Sequence, residues 1–181
     1  PSSYAFVDET GFQIIAYDFE LSEPLDLNAD DYADATVAQV IEVTQENTGD
    51  AVRGEMRARL GEDGIYFYAV VHDKALTRYS SSVWSNDGIE LYIDTLGVGG
   101  SSRFREGILR IGVDIDEGYA AFVFSEAQQV SYASHRKMFV VTNVTECAGE
   151  ETAFSYRYTY EYEIMIPYES LGLSGQPNDL S

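Results

Sequence analysis

Cysteine, histidine and basic side chains are scarce in this 181-residue chain, which has one Cys, two His and 11 Lys+Arg. Cys147 cannot form a disulfide within the chain, and His72 and His135 lie far apart in the sequence. The sequence contains no Gly-x-Ser-x-Gly motif, no glycine-rich phosphate loop and no papain-like context around Cys147. These absences give little support to a catalytic function.

The 11 Lys+Arg residues are outnumbered by 31 Asp+Glu, so the formal net charge is -20. A field of this sign repels phosphate backbones, and we expect no nucleic-acid partner. No apolar run approaches the roughly 20 residues that a membrane-spanning helix needs, so we expect no membrane insertion. The first residues, Pro1 to Tyr4, show no targeting segment, although one could have been removed from the protein.

A long helical period is also missing, and short alternating segments separated by turn residues take its place. The pattern predicts one all-β domain over residues 1–181, an antiparallel, jelly-roll-like β-sandwich of about nine strands. A short helix is allowed within residues 126–137, and one helical turn at Tyr168–Leu173. The predicted strands are Phe12–Tyr17, Thr36–Thr44, Ala51–Leu60, Ile65–His72, Ile89–Asp94, Gly107–Asp114, Tyr119–Ser125, Met138–Thr145 and Phe154–Ile166.

The stretch Trp84–Asp94 offers the best candidate for a recognition surface. Its turn residues lead into a strand in which three aliphatic residues alternate with polar ones, so one face is apolar. Glu90 and Tyr92 should lie on the opposite face, with Trp84 on the loop that enters the strand. An indole, a carboxylate and a phenol on one side suit ligand binding. The alternative is a half-buried strand with a solvated acidic face, in which Trp84 plugs the sheet end.

Two other patterns are less specific. Tyr156, Tyr158, Tyr160 and Tyr162 share one face of the last predicted strand, either as a second aromatic platform or, as we favour, as packing residues. The loop of residues 22–34 contains Asp26-x-Asn28-x-Asp30, which is similar to the start of a calcium loop. The EF-hand pattern fails after it, because Asp31 replaces the glycine and Val37 the closing glutamate. A calcium site of another kind in this loop stays open.

Three stretches in order give the chain a family resemblance: Gly64–Asp73, Trp84–Asp94 and Tyr162–Tyr168. They resemble the domains of carbohydrate-binding module family 9 and the related DOMON-like β-sandwiches. Those domains carry a strand ending in Asp, a Trp-x-x-Asp-x-x-Glu segment followed by three apolar residues and Asp, and a late Glu-x-x-Ile-Pro. The resemblance implies a sugar-binding β-sandwich, usually a secreted module attached to polysaccharide-degrading enzymes, and often one with structural calcium.

The resemblance also implies roles for individual residues. In the family the Trp stacks on a sugar ring and the Glu hydrogen-bonds its hydroxyls, and these positions are Trp84 and Glu90 here. An Arg of the next strand joins them, and Arg110 is its match. Arg110 also alternates with Leu109 and Ile111, so it should point away from the core as Glu90 does. The alternative for Arg110 is an ordinary cross-strand ion pair with Glu90.

The chain departs from the family in having one Trp, because the family's second stacking Trp lies in a closing segment after Ile-Pro. Either other residues close the sandwich, or that segment is truncated, or sugar binding is lost. We expect a non-catalytic carbohydrate-binding module of a secreted or cell-surface protein, with a catalytic domain in the full-length protein as a further expectation. Three alternatives are kept: a structural or protein-interaction module, a β-sandwich glycoside hydrolase using Asp87, Glu90 or Asp94, and a haem-binding domain.

Overall fold

The architecture consists of two antiparallel β-sheets with short 3₁₀ turns. A computed structural model describes residues 21–35, 37–44, 51–78, 82–97, 99, 106–117, 119–125, 128–131, 138–147, 156–171 and 173–177. Its strands are β1 (Val37–Thr44), β2 (Ala51–Leu60), β3 (Gly64–Asp73), β4 (Gly88–Asp94), β5 (Ile108–Asp114), β6 (Tyr119–Ser125), β7 (Gln128–Ser131), β8 (Phe139–Glu146) and β9 (Tyr158–Pro167). The 3₁₀ helices are η1 (Ala29–Tyr32), η2 (Val83–Ser85) and η3 (Tyr168–Leu171). None of the described helices is long and apolar enough to cross a membrane.

The five-stranded sheet has the order β1-β2-β3-β9-β8, and the four-stranded sheet has the order β4-β5-β6-β7. Every neighbouring pair is antiparallel. The prediction of an all-β, antiparallel class is therefore confirmed. Six of these strands, β2 to β5 with β8 and β9, are described with their side chains, and a total of about nine stays a prediction. Closure of the two sheets into a sandwich stays a prediction.

Strand alternation explains where the main core lies. In β2, Ala58 belongs to the core cluster and the partly buried Met56 and Leu60 pack against it, while the arginines between them are partly exposed. A tight hairpin turn joins β2 to β3, in which the Gly61 N–H donates to the Gly64 carbonyl across 2.9 Å. The same core cluster holds residues of both sheets. They include Phe67, Tyr162 and Ile164 from the five-stranded sheet and Leu91, Ile111 and Val113 from the four-stranded one.

The opposite face of the five-stranded sheet carries a second apolar cluster, which residues 21–35 cover. Tyr32 from η1 is fully buried there against sheet residues that include Tyr66, Tyr68, Phe139 and Met165. Glu163 lies at the centre of this face with no exposed surface. Its Oε1 accepts a 2.9 Å bond from the Tyr32 hydroxyl, and its Oε2 accepts a 2.7 Å bond from the Leu27 N–H. The acidic loop predicted at residues 22–34 is therefore a packed segment with a 3₁₀ turn.

Several element predictions need correction or qualification. The region allowed a short helix, residues 126–137, instead forms strand β7 where it is described, at Gln128–Ser131. Val130 pairs with Val123 of β6, and this pairing with a neighbouring strand outweighs the local preference of the segment for a helix. The last strand begins at Tyr158, later than predicted, and the predicted helical turn after it is present as η3. The predicted strand at residues 12–17 lies outside the described residues.

Candidate functional site

The loop that presents Trp84 is fixed to both sheets through Asp87. Asp87 Oδ2 accepts a hydrogen bond from the Thr77 N–H at 2.6 Å and another from the Tyr160 hydroxyl at 3.0 Å. The Ala75 carbonyl also lies within hydrogen-bonding reach of this hydroxyl, whose single proton is shared between the two acceptors. Burial raises the pKa of Tyr160 above its ordinary value, and the negative charge of Asp87 adds to this effect. Tyr160 therefore stays a protonated donor, and Asp87 acts as a clamp on the Trp84 loop.

Further contacts hold the same loop against β5. The Asn86 side-chain amide donates to Asp114 Oδ2 at 2.9 Å, and the Ile115 N–H donates to the Asp87 carbonyl at 3.1 Å. A side chain at Gly88 would collide with the Val113 carbonyl, so glycine permits the close approach of β4 to β5. The position of Trp84 is thus set by a bonded loop with a defined path.

The polar residues predicted for the site meet on the β4–β5 pair. Tyr92 is in register with Arg110, and Glu90 is in register with Gly112. Arg110 donates from Nη2 to Glu90 Oε1 at 2.8 Å and from Nε to Glu90 Oε2 at 3.2 Å. The Tyr92 hydroxyl donates to the same Oε2 at 2.7 Å. Glu90 and Arg110 thus lie on the same side of the sheet, as their alternation predicted, and within hydrogen-bonding reach.

Trp84 completes this group. The Arg110 guanidinium carbon lies 4.2 Å from the centroid of the Trp84 ring, which is the geometry of a cation–π contact. Trp84 is 39 % exposed and lines a recess of about 80 Å³ together with Glu90, Gly112 and neighbouring residues. Trp84 thus lies beside Glu90 on the loop that enters β4, as predicted, and is partly exposed there. The cross-strand ion pair considered as the alternative for Arg110 is present as well, and the ligand-binding role of these residues stays a prediction.

The group is suited to hydrogen bonding beside an apolar surface. The paired Glu90 and Arg110 form a planar fork whose charges compensate each other, and the hydrogen bonds from Arg110 to Glu90 raise the pKa of Arg110. The fork is partly exposed, with 22 % of the Arg110 side chain and 41 % of the Glu90 side chain accessible. A ligand with hydroxyl groups and an apolar face can therefore contact the fork and the indole together.

The carboxylates considered for glycoside hydrolysis are each engaged in the structure. Asp87 holds the Trp84 loop, and Glu90 holds Arg110. Asp94 closes the turn after β4, where its carboxylate accepts the N–H groups of Leu96, Gly97 and Gly99 at 2.9 to 3.2 Å. Three residues that the sequence only placed near one another thus have distinct structural contacts.

The tyrosine row divides between the core and the surface. Tyr160 and Tyr162 are 1 % and 0 % exposed in the main core, so packing is confirmed for these two. Tyr158 is partly buried against the core and lies under Arg157, 5.4 Å from its guanidinium carbon. Tyr156 stacks on the His72 ring with a centroid distance of 4.4 Å. The row therefore does not form one continuous platform.

The residues proposed for calcium have local structural contacts. Asn28 caps η1, because its Oδ1 accepts the Asp30 N–H at 3.2 Å. The Asn28 N–H donates to Asp26 Oδ1, also at 3.2 Å. Within the described ranges, no group of three or more His, Cys, Asp and Glu side chains is arranged to hold a metal ion. A calcium site at Asp26, Asn28 and Asp30 stays a prediction.

Sequence reasoning missed two residues that shape the site, Asp87 as the clamp and Gly112 as the residue beneath the indole. Gly112 gave a signal, since a glycine between two aliphatic residues in a strand marks a close approach by another group. Asp87 is the Asp of the Trp-x-x-Asp-x-x-Glu segment, but its contact with Tyr160 gave no signal, because Tyr160 is 73 positions away in the sequence.

Comparison with known protein families gives a match over most of the chain. The model of the family described as "Carbohydrate family 9 binding domain-like" matches residues 28–179. This range includes Trp84, Glu90, Tyr92 and Arg110, together with both sheets. A search of curated proteins finds no match to the chain.

Proposed function

The chain belongs to the carbohydrate family 9 binding domain-like family, and from this premise we propose that it is a non-catalytic module that binds oligo- or polysaccharides at Trp84. The observation that carries the proposal is the Glu90–Arg110 ion pair lying against a partly exposed indole. An apolar ring surface next to planar polar groups suits a sugar, which has a C–H face and a rim of hydroxyls.

The proposed contacts follow from the geometry of the group. The accessible part of Trp84 would take the C–H face of a sugar ring, and Glu90 would accept hydrogen bonds from hydroxyls. A guanidinium has five N–H donors, so Arg110 can bond to Glu90 and also donate to a ligand oxygen. Tyr92, which donates to Glu90, would keep the carboxylate oriented. Hydrogen bonds to charged groups contribute about 1.5–3 kcal/mol, more than those between neutral groups.

The negative charge of the chain favours uncharged glycans as the class of ligand. A formal charge of -20 repels uronate-rich polysaccharides at low ionic strength, and the Glu90 carboxylate at the site adds to that repulsion. Neutral hydroxyls meet no such barrier.

The wider setting belongs to the same proposal. We take the protein to be secreted or on the cell surface, where polysaccharides are met, and a catalytic domain in the full-length protein to be its partner. The two sheets, which share one core cluster, would close as a jelly-roll-like sandwich of about nine strands. Structural calcium near Asp26, Asn28 and Asp30 is the proposed cofactor.

The decisive experiment titrates the purified protein with neutral and uronate-containing oligosaccharides by calorimetry, and compares Trp84→Ala with the wild type. We expect the wild type to bind neutral sugars and Trp84→Ala to fall below detection. Loss of the indole removes the apolar contact, which contributes roughly 25 cal/mol per Å² of buried surface. Because Trp84 is partly exposed, the melting temperature should change little.

Trp84→Tyr is the matched control, since it keeps an aromatic face of smaller area and should retain weakened binding. Full-strength binding by Trp84→Ala would move the site elsewhere. Absence of binding to any glycan on an array would favour the structural or protein-interaction alternative. Release of shorter sugars during incubation would contradict the non-catalytic assignment and favour a glycoside hydrolase.

A further inference from the structure

We propose that Gly112 is a positioning residue whose missing side chain sets the place of the Trp84 ring. The proposal rests on the proposed function only for its effect on sugar affinity. Gly112 lies in β5, opposite Glu90 and two residues after Arg110. The residue beneath the indole is thus on the same strand as the guanidinium that stacks on it.

The space above Gly112 is filled by the indole. A Cβ atom at this position would lie 2.5 Å from Trp84 Cζ3, 2.6 Å from Cη2 and 3.1 Å from Cε3. All three atoms belong to the benzene part of the indole, so the ring contacts the backbone of β5 at this residue. Such distances are far inside van der Waals contact, and any side chain at position 112 must displace the ring.

Backbone conformation does not demand glycine at this position. Gly112 is absent from the positive-φ residues of the chain, and it pairs regularly with Glu90 and Ala120 on its two sides. Glycine inside a strand costs stability relative to alanine, because it loses more conformational freedom on folding. The glycine at position 112 therefore serves to leave room for the Trp84 ring.

A displaced ring would also lose its contact with Arg110. The Trp84 loop is held by Asp87 on one side, so the ring can move outward more readily than the loop can. Outward movement separates the indole from the Arg110 guanidinium, which now lies 4.2 Å from its centroid. The apolar face and the Glu90–Arg110 fork would then no longer lie at the spacing that one sugar ring bridges.

The test compares Gly112→Ala with Gly54→Ala. Gly54 lies in β2 of the other sheet, where an added Cβ would meet only ordinary contacts, 3.8 Å from Val71 and 3.9 Å from the Val70 carbonyl. Both variants make the same chemical change inside a strand. Trp84 is the one Trp of the chain, so its emission, excited where tyrosine does not absorb, reports on this ring alone.

We expect Gly112→Ala to raise the acrylamide quenching constant of Trp84 and to weaken neutral-sugar binding about tenfold, equivalent to about 1.4 kcal/mol. Its melting temperature should equal or exceed that of the wild type, whereas a purely structural glycine would give a lower one. Gly54→Ala should leave quenching and affinity unchanged.

Unchanged quenching in Gly112→Ala would overturn the proposal, as would a displaced ring with unchanged sugar affinity. If the wild type binds no sugar, the proposed function fails, and the quenching comparison alone still decides whether Gly112 positions Trp84.

Discussion

Replacement of Asp87 by alanine should loosen the Trp84 loop and destabilise the whole domain. Asp87 Oδ2 accepts from the Thr77 N–H at 2.6 Å and from the Tyr160 hydroxyl at 3.0 Å. Tyr160 belongs to the five-stranded sheet and is 1 % exposed, while Asp87 directly precedes β4 of the other sheet. The substitution therefore removes a bond between the two sheets as well as a bond within the loop.

The expected loss can be worked out from these two contacts. A hydrogen bond to a charged group contributes about 1.5–3 kcal/mol, and Asp87→Ala also leaves two donors without this acceptor. Asp87 is partly exposed, so water replaces some of the interaction and the lower end of the range applies. We expect a loss of roughly 3 kcal/mol in the free energy of unfolding. For a chain of this length that is a fall of about 6–12 °C in melting temperature.

A double-mutant cycle with Tyr160→Phe measures the Asp87–Tyr160 bond itself, using urea unfolding of the two single variants and the double variant. We expect a coupling energy of about 1–2 kcal/mol, within the range for residues in direct contact. Asp87→Asn keeps one acceptor oxygen and should lose less stability than Asp87→Ala. A stability change below about 0.5 kcal/mol for Asp87→Ala, as for an ordinary surface substitution, would refute the reasoning.

Three further predictions concern charge and ions. Glu90→Gln should weaken sugar binding in calorimetry more than loss of one acceptor explains, since it also frees Arg110; an unchanged affinity would contradict this. Burial raises the pKa of Tyr160 and Tyr162 above the ordinary 10.0, so stability is fully present below pH 10 and falls above it, where the unfolded chain releases these protons. The tyrosinate absorbance of Tyr160 and Tyr162 should then rise as the circular dichroism signal is lost. Ionisation of these two tyrosines in the folded protein would contradict the prediction. Calcium should raise the melting temperature through the loop at residues 26–34, and identical melting after chelation and calcium add-back would count against that site.

Local alternation predicted much of the fold. The β2–β3 hairpin and the strand at Gly88–Asp94 follow from period-two patterns and turn residues that neighbouring positions specify. The meeting of Glu90 and Arg110 was also predictable, because both alternate away from the aliphatic face of their own strands. These features depend on information within a few residues of each site.

Contacts between distant segments were the part that sequence could not supply. The packing of residues 21–35 on the five-stranded sheet depends on the bond from the Leu27 N–H to Glu163, 136 positions away. The polar, acidic composition of the segment predicted a loop, and only the partner strands provide the burial of Tyr32. β7 was missed for a similar reason, because its backbone partners come from β6 and not from its own residues.

The covering segment also bears on where the domain should be cut for expression. The family match begins at residue 28, yet Ser22 donates to Asp63 at 2.9 Å and Glu23 pairs with Arg59 at 2.7 Å, both upstream of that boundary. Leu21, Leu25 and Leu27 pack on the second apolar cluster as well. A fragment that begins at residue 28 would expose part of the sheet's apolar face and would be prone to aggregate. A fragment that begins at residue 21 would keep this face covered.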